Sequence, residues 1–166
     1  MGYSPTQKAF VFPVQRLVDQ VGRNGFVLDV QFVGEDGKSR YTLHVCSLRD
    51  CEEQAFDLGK NVRPKLAARL DKEGYMALEG VAWPSRAEEV TISSLGVKLR
   101  YANGSLSVVR EGKPAVALTP LGGKRLGVAP HSVFPVPDSP LLAVIATLGD
   151  EREMYQGLYV FRIPAP

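Results

Sequence analysis

Apolar and polar residues alternate along much of this chain, which is the pattern of strands with one buried face. Phe26 to Val33 and Tyr41 to Val45 alternate on either side of a Gly/Asp turn at residues 34–37, and this arrangement predicts a β-hairpin. Short alternating or apolar runs predict further strands at 76–83, 90–93, 97–101, 106–109, 115–118, 133–136, 141–147 and 157–163. The chain is therefore expected to be rich in antiparallel sheet.

The pair Asn103–Gly104 lies between two of these runs. Both central residues of a type I′ turn need positive φ, and Asn-Gly is the dipeptide that best supplies it. The strands around it are thus predicted to form a three-stranded meander over residues 97–118.

Two segments carry sequence signals of an α-helix. Between residues 13 and 22, apolar residues recur at i, i+3, i+4 and i+7, with Pro13 suited to a first turn, and this predicts a short helix. The apolar residues are Val14, Leu17, Val18 and Val21. Asn61 as a cap, Pro64 in the first turn and Gly74 after the end predict a second helix, and residues 52–58 are weakly helical.

Together these elements predict an α+β fold. We expect an antiparallel sheet or sandwich of about eight to ten strands, with two or three short helices packed on one side. The length of 166 residues suits one domain over 1–166, and hydrophobic and charged fractions of 45% and 23% are typical of a packed protein.

The net charge of +2 gives little long-range attraction for nucleic acid, so nucleic acid is not an expected partner. No apolar run approaches the roughly 20 residues of a membrane helix, and the N-terminus lacks the segments of a signal peptide. Two interpretations remain for its location: an exported protein shown without its signal, periplasmic or secreted, or a cytoplasmic protein.

Cys46 and Cys51, the two cysteines of the chain, bracket a short segment that could close a disulfide across a small turn. Such a bridge would favour an oxidising compartment, and the alternative is two reduced thiols. His44 and His131 could join them around a metal ion, but a second pair of closely spaced ligands is missing. We therefore predict a disulfide and no metal site.

Catalytic motifs are not evident. The chain has neither a G-x-S-x-G nor a C-x-x-C motif, and although Ser132 adjoins His131, adjacency in sequence does not place the hydroxyl on the imidazole. The adjacent carboxylates at 52–53, 88–89 and 150–151 are expected to be solvated. No catalytic residue and no cofactor is predicted, and the missing motifs favour a protein that is not an enzyme.

The irregular stretch 119–131 contains a candidate anion- or partner-binding loop formed by Gly122, Gly123, Lys124 and Arg125. Glycines expose backbone N–H groups and two cations follow them, although the pattern departs from a Walker loop. A flexible connection between strands is the structural alternative.

The leading hypothesis is a non-enzymatic binding or interaction module, exported by a bacterium, with an unspecified protein or small-molecule ligand. One alternative is a small hydrolase or transferase whose site forms only in the fold. Another is a cytosolic protein that binds a partner or nucleic acid through the 119–131 loop.

Overall fold

The computed structural model describes residues 1–20, 23–47, 63–85, 87–123, 125–126, 128–149 and 153–165. The chain divides into two compact units. Unit 1 comprises Met1–Gly34, Ser39–Ala77 and Leu148–Gln156, and unit 2 comprises Glu35–Lys38, Leu78–Thr147 and Gly157–Pro166. The assignment of 1–166 to one domain stays a prediction, and each unit is described by itself.

Unit 1 is built from antiparallel strands and one helix. Its elements are β1 (Gly2–Ser4), β2 (Ala9–Gln20), β3 (Arg23–Gly34), β4 (Ser39–Ser47), α1 (Arg63–Lys72) and β5 (Met76–Ala77). β3 lies between β2 and β4. β1 pairs with both β2 and β5.

The longest feature of unit 1 is the β2–β3 hairpin, which pairs without a register shift from Ala9 opposite Gly34 to Gln20 opposite Arg23. The predicted helix over 13–22 is therefore wrong for residues 13–20, which are extended, and residues 21–22 lie outside the described part of the chain. A helix this short is marginal in isolation, whereas the hairpin gives every residue of β2 a cross-strand partner.

Pro13 is exposed within β2, although proline lacks the N–H that a strand interior uses. On the side of β2 away from β3, β1 pairs with residues 9–11 and β13 (Glu153–Arg162) pairs with residues 16–18. Pro13 falls between these two pairings, where a missing donor is tolerated.

The predicted hairpin of β3 and β4 is confirmed. The second predicted helix is confirmed as α1, while its proposed cap Asn61 and the weakly helical residues 52–58 lie outside the described residues. Gly74, two residues after the end of α1, has φ +70°, and the Tyr75 N–H donates to the Leu70 carbonyl at 2.8 Å. This hydrogen-bond pattern is the one that glycine commonly permits at a helix end.

Unit 2 is made of short strands. They are β6 (Val81–Ala82), β7 (Glu89–Ile92), β8 (Val97–Ala102), β9 (Ser105–Val109), β10 (Val116–Leu118), β11 (Pro130–Pro135) and β12 (Leu141–Gly149), with a 3-10 helix at Ser93–Leu95. β7 to β10 form a sheet in sequential order, and β11 lies between β6 and β12. β12 and β13 contribute residues to both units.

The predicted meander is confirmed and gains β7 as a fourth strand. Asn103 and Gly104 have φ values of +50° and +74°, as a type I′ turn requires. The strand predicted at 76–83 is instead two short strands, β5 and β6.

The predicted fold class is wrong in its helical content. The described residues are mostly β, their strands pair antiparallel, and α1 is their one helix of seven or more residues. Residues 13–20, predicted as part of the first helix, instead belong to β2 in the long β2–β3 hairpin. The structure is therefore mainly β rather than α+β with two or three helices. In the described ranges, no helix has the length and apolar character to cross a membrane.

Candidate functional site

An apolar pocket of about 360 Å³ lies in unit 1 against α1, and we refer to it as the α1 pocket. It is lined by Met1, Gly2, Val11, Phe12, Pro13, Val30, Leu66, Leu70, Tyr75, Met76 and Ala77. The volume is within the range of small-molecule sites, and no lining side chain carries a charge.

The α1 pocket forms because helix and sheet pack together without filling the space between them. Leu66 and Leu70, one turn apart on α1, pack against the buried cluster of Val11, Val30 and Phe32, yet both leucines remain half-buried. Met76 is 53% exposed beside them. Methionine adapts its shape readily, so this wall can accommodate ligands of different outline.

One edge of unit 1 carries an aromatic cluster next to the pocket residue Tyr75. The Phe32 ring stacks on Tyr41 at a centroid distance of 4.2 Å and meets Tyr75 edge-on at 5.8 Å. The Arg69 guanidinium lies 5.0 Å from the Tyr41 ring and 5.4 Å from the Phe32 ring. It also donates to the Tyr41 hydroxyl and, at 2.8 Å, to the Glu73 carboxylate. These contacts hold α1 on the sheet and fix the Tyr75 side of the pocket.

Burial raises the pKa of Tyr41 and of Tyr75 above the ordinary value of 10.0. The Arg69 charge opposes this by lowering the pKa of both tyrosines. A tyrosine hydroxyl is protonated near neutral pH even at the ordinary pKa, so these upward shifts matter only in alkaline solution, and Tyr75 lines the pocket as a neutral residue.

Unit 2 contains a cleft of about 390 Å³, which we call the turn cleft because the Asn103–Gly104 turn forms part of its rim. It is lined by Asn103, Gly104, Ser105, Leu106, Leu118, Pro120, Arg125, Leu126 and Phe161. Its leucines and phenylalanine are buried, whereas Arg125 and the turn residues are exposed. The cleft therefore combines an apolar floor with a polar rim.

The structure separates the residues of the predicted anion loop. Gly122 has φ +83°, and a Cβ there would lie 2.8 Å from the Gly37 carbonyl oxygen; a Cβ on Gly37 would lie 2.1 Å from the Leu121 oxygen. Gly122 thus serves close backbone packing. Gly123 has no atom within 4 Å of its would-be Cβ, Arg125 lines the turn cleft, and Lys124 is outside the described residues.

Cys46 is buried at the end of β4, and Cys51 lies outside the described residues, so the predicted disulfide stays a prediction. His44 Nδ1 lies 2.8 Å from an Asp29 carboxylate oxygen, and Asp29 is buried while His44 is exposed. No group of three metal-ligating side chains occurs in the part of the chain that the structure describes.

His131 and Ser132 make a side-chain contact that the sequence did not predict. His131 Nδ1 lies 2.8 Å from Ser132 Oγ, although side chains of adjacent strand residues normally point to opposite faces. The register of β11 against β12 shifts between Pro130 and Ser132, which marks a bulge, and a bulge redirects side chains. Alternation along the sequence gives no sign of this bulge.

No family model, no curated protein and no solved structure matches this chain. The α1 pocket, the turn cleft and the side chains around them are therefore the basis for the function proposed below.

Proposed function

We propose that the protein is a non-enzymatic binding module whose α1 pocket takes a small apolar ligand. The observation that carries the proposal is a mainly hydrophobic lining of about 360 Å³ without a charged side chain, in which two leucines of α1 remain half-buried. Transfer of an apolar ligand from water onto such a lining contributes roughly 25 cal/mol per Å² of apolar surface buried. The Tyr75 hydroxyl can orient the ligand through a hydrogen bond.

A titration with the neutral fluorophore N-phenyl-1-naphthylamine tests the proposal. We expect saturable fluorescence enhancement, and we expect Ala77→Trp to raise the dissociation constant at least about tenfold because the indole occupies the pocket. Ala117→Trp is the matched control, since Ala117 is also an exposed strand alanine but lies on β10. Equal affinity in both variants, with circular dichroism showing both folded, would overturn the proposal.

Export is the second part of the proposal, and a Cys46–Cys51 bridge would support it because disulfides persist in oxidising compartments. Intact mass before and after reduction tests the bridge, since a disulfide leaves the chain lighter by two hydrogen atoms. Two free thiols in protein purified without reductant would argue for the cytoplasm.

A small hydrolase or transferase remains a second candidate because of the His131–Ser132 contact. A serine hydroxyl beside an imidazole nitrogen can be activated as a nucleophile. Against this, neither the α1 pocket nor the turn cleft is lined by His131 or His44. Labelling by a fluorophosphonate probe that is lost in Ser132→Ala would favour the enzyme, and absence of labelling would favour the binding module.

A further inference from the structure

The turn cleft differs from the α1 pocket in having a charged side chain on its rim. Arg125 is exposed at the cleft, and no carboxylate side chain is among the residues that line it. Within the described ranges, no salt bridge joins Arg125 to an acidic residue. The guanidinium is thus available to a ligand, and its planar set of donors suits a carboxylate, sulfonate or phosphate group.

The floor of the same cleft is apolar. Leu106 and Phe161 are each 1% exposed, and Leu126 is 3% exposed, so the floor is a part of the hydrophobic core that the cleft reaches. Asn103 and Ser105 add hydrogen-bonding side chains at the rim. A ligand that satisfies both surfaces needs an apolar body and an anionic end.

The rim has a defined shape because backbone conformation fixes it. Asn103 and Gly104 hold positive φ in the β8–β9 turn, and a Cβ on Gly104 would lie 3.7 Å from the Leu126 carbonyl oxygen. The turn therefore sits against the chain segment that carries Arg125. Such an arrangement reduces the ordering needed when a ligand binds.

We infer that the turn cleft is a second binding site, for a small amphipathic anion whose acidic group pairs with Arg125 and whose apolar body covers the leucine and phenylalanine floor. The site is independent of the α1 pocket and does not rest on the function proposed for it.

The probe is 8-anilino-1-naphthalenesulfonate, which is the neutral probe N-phenyl-1-naphthylamine with a sulfonate added. In ¹⁵N–¹H spectra we expect it to shift the amide signals of Gly104, Ser105 and Leu126. Arg125→Gln should weaken its binding by about twofold to fivefold, the range expected for one solvent-exposed ionic contact, and Arg125→Lys should weaken it less. The spectra of the free variants report that each one is folded.

Lys113→Gln is the matched control, because it removes one positive charge from the turn at the other end of β9. The five residues of β9 span about 17 Å at roughly 3.3 Å each, beyond the screening length of about 10 Å at 0.1 M salt. Lys113→Gln should leave binding of the probe unchanged.

Three outcomes would overturn the inference. The first is equal weakening by Arg125→Gln and Lys113→Gln, which would indicate attraction to net charge alone. The second is a set of shifted signals confined to Leu66, Leu70 and Met76, which would place the probe in the α1 pocket. The third is binding of inorganic sulfate as tight as that of the probe, which would remove any role for the apolar floor.

Discussion

The two units use different means to hold their shape. Eight of the ten described residues with positive φ belong to unit 2, and only Lys8 and Gly74 belong to unit 1. Unit 1 relies instead on twelve-residue strand pairing and on side chains packed between α1 and the sheet. Short strands need frequent tight turns, and tight turns need left-handed backbone, so unit 2 depends on particular backbone positions where unit 1 depends on side-chain contacts.

The difference extends to the two cavities. The α1 pocket is a gap left by imperfect packing of a helix on a sheet, and none of its lining side chains is charged. The turn cleft has a rim made by a turn and a loop, where exposed polar residues and Arg125 occur naturally. The architecture of each unit thus favours the ligand chemistry proposed for it.

The largest effect is expected from Gly37→Ala in unit 2. It would place a Cβ at 2.1 Å from the Leu121 carbonyl oxygen and force alanine to φ +74°. Left-handed strain and the steric overlap together should lower the free energy of unfolding by more than about 3 kcal/mol, as measured by urea denaturation.

Gly123→Ala separates backbone strain from steric overlap, because Gly123 has φ +78° but open space around its would-be Cβ. This substitution should lower the free energy of unfolding by only about 1 kcal/mol. Equal costs for the two variants would show that close backbone approach at Gly37 is unimportant.

The Asn103–Gly104 turn is the next test of the dependence on backbone conformation. Asn103→Ala places an alanine at φ +50°, and we expect a loss of about 1 kcal/mol in the free energy of unfolding. Asn103→Gly relieves that strain and should be close to neutral. If thermal and urea denaturation rank the two variants the other way, the turn is held by the asparagine side chain rather than by its backbone.

In unit 1 the corresponding test removes a side-chain contact. Arg69→Met loses the Glu73 ion pair, the hydrogen bond to Tyr41 and the stacking on two aromatic rings, for about 1 kcal/mol in total. Arg100→Met on β8 is the control, since Arg100 contacts Glu89 at 2.6 Å but stacks on no aromatic ring of the described residues. Its smaller cost, about 0.5 kcal/mol, would confirm that the aromatic rings add to the Arg69 contacts.

The smallest effect concerns pH. Because burial raises the pKa of Tyr41, Tyr75 and Tyr101, the folded protein holds these protons more tightly than the unfolded chain does. The contribution to stability is complete below about pH 10 and is lost as pH rises through the folded pKa values.

Urea denaturation from about pH 8 to about pH 11 measures this loss. The double variant Tyr41→Phe, Tyr75→Phe should flatten the alkaline decline more than Tyr101→Phe, since unit 1 holds two of the three tyrosines. An unchanged slope in the double variant would contradict the assignment to the aromatic cluster.

Local chemistry accounts for what could be predicted from the sequence. The β3–β4 hairpin, α1 with Gly74 at its end and the meander around Asn103–Gly104 each depend on neighbouring residues: alternation, a helix-ending glycine and a dipeptide that tolerates positive φ. Arg125 was also a predicted site residue, and it lines the turn cleft.

Tertiary structure decided the rest, because the deciding contacts join residues far apart in the chain. The apolar spacing of residues 14–21 fits a helix face, but the pairing of β2 with β3 selects a strand. In the sequence Gly122 fits an anion-binding loop, but in the structure it packs against Gly37, which lies 85 positions away in the chain. The α1 pocket, the turn cleft and the His131–Ser132 contact likewise arise from packing and from a bulge, which local sequence patterns do not encode.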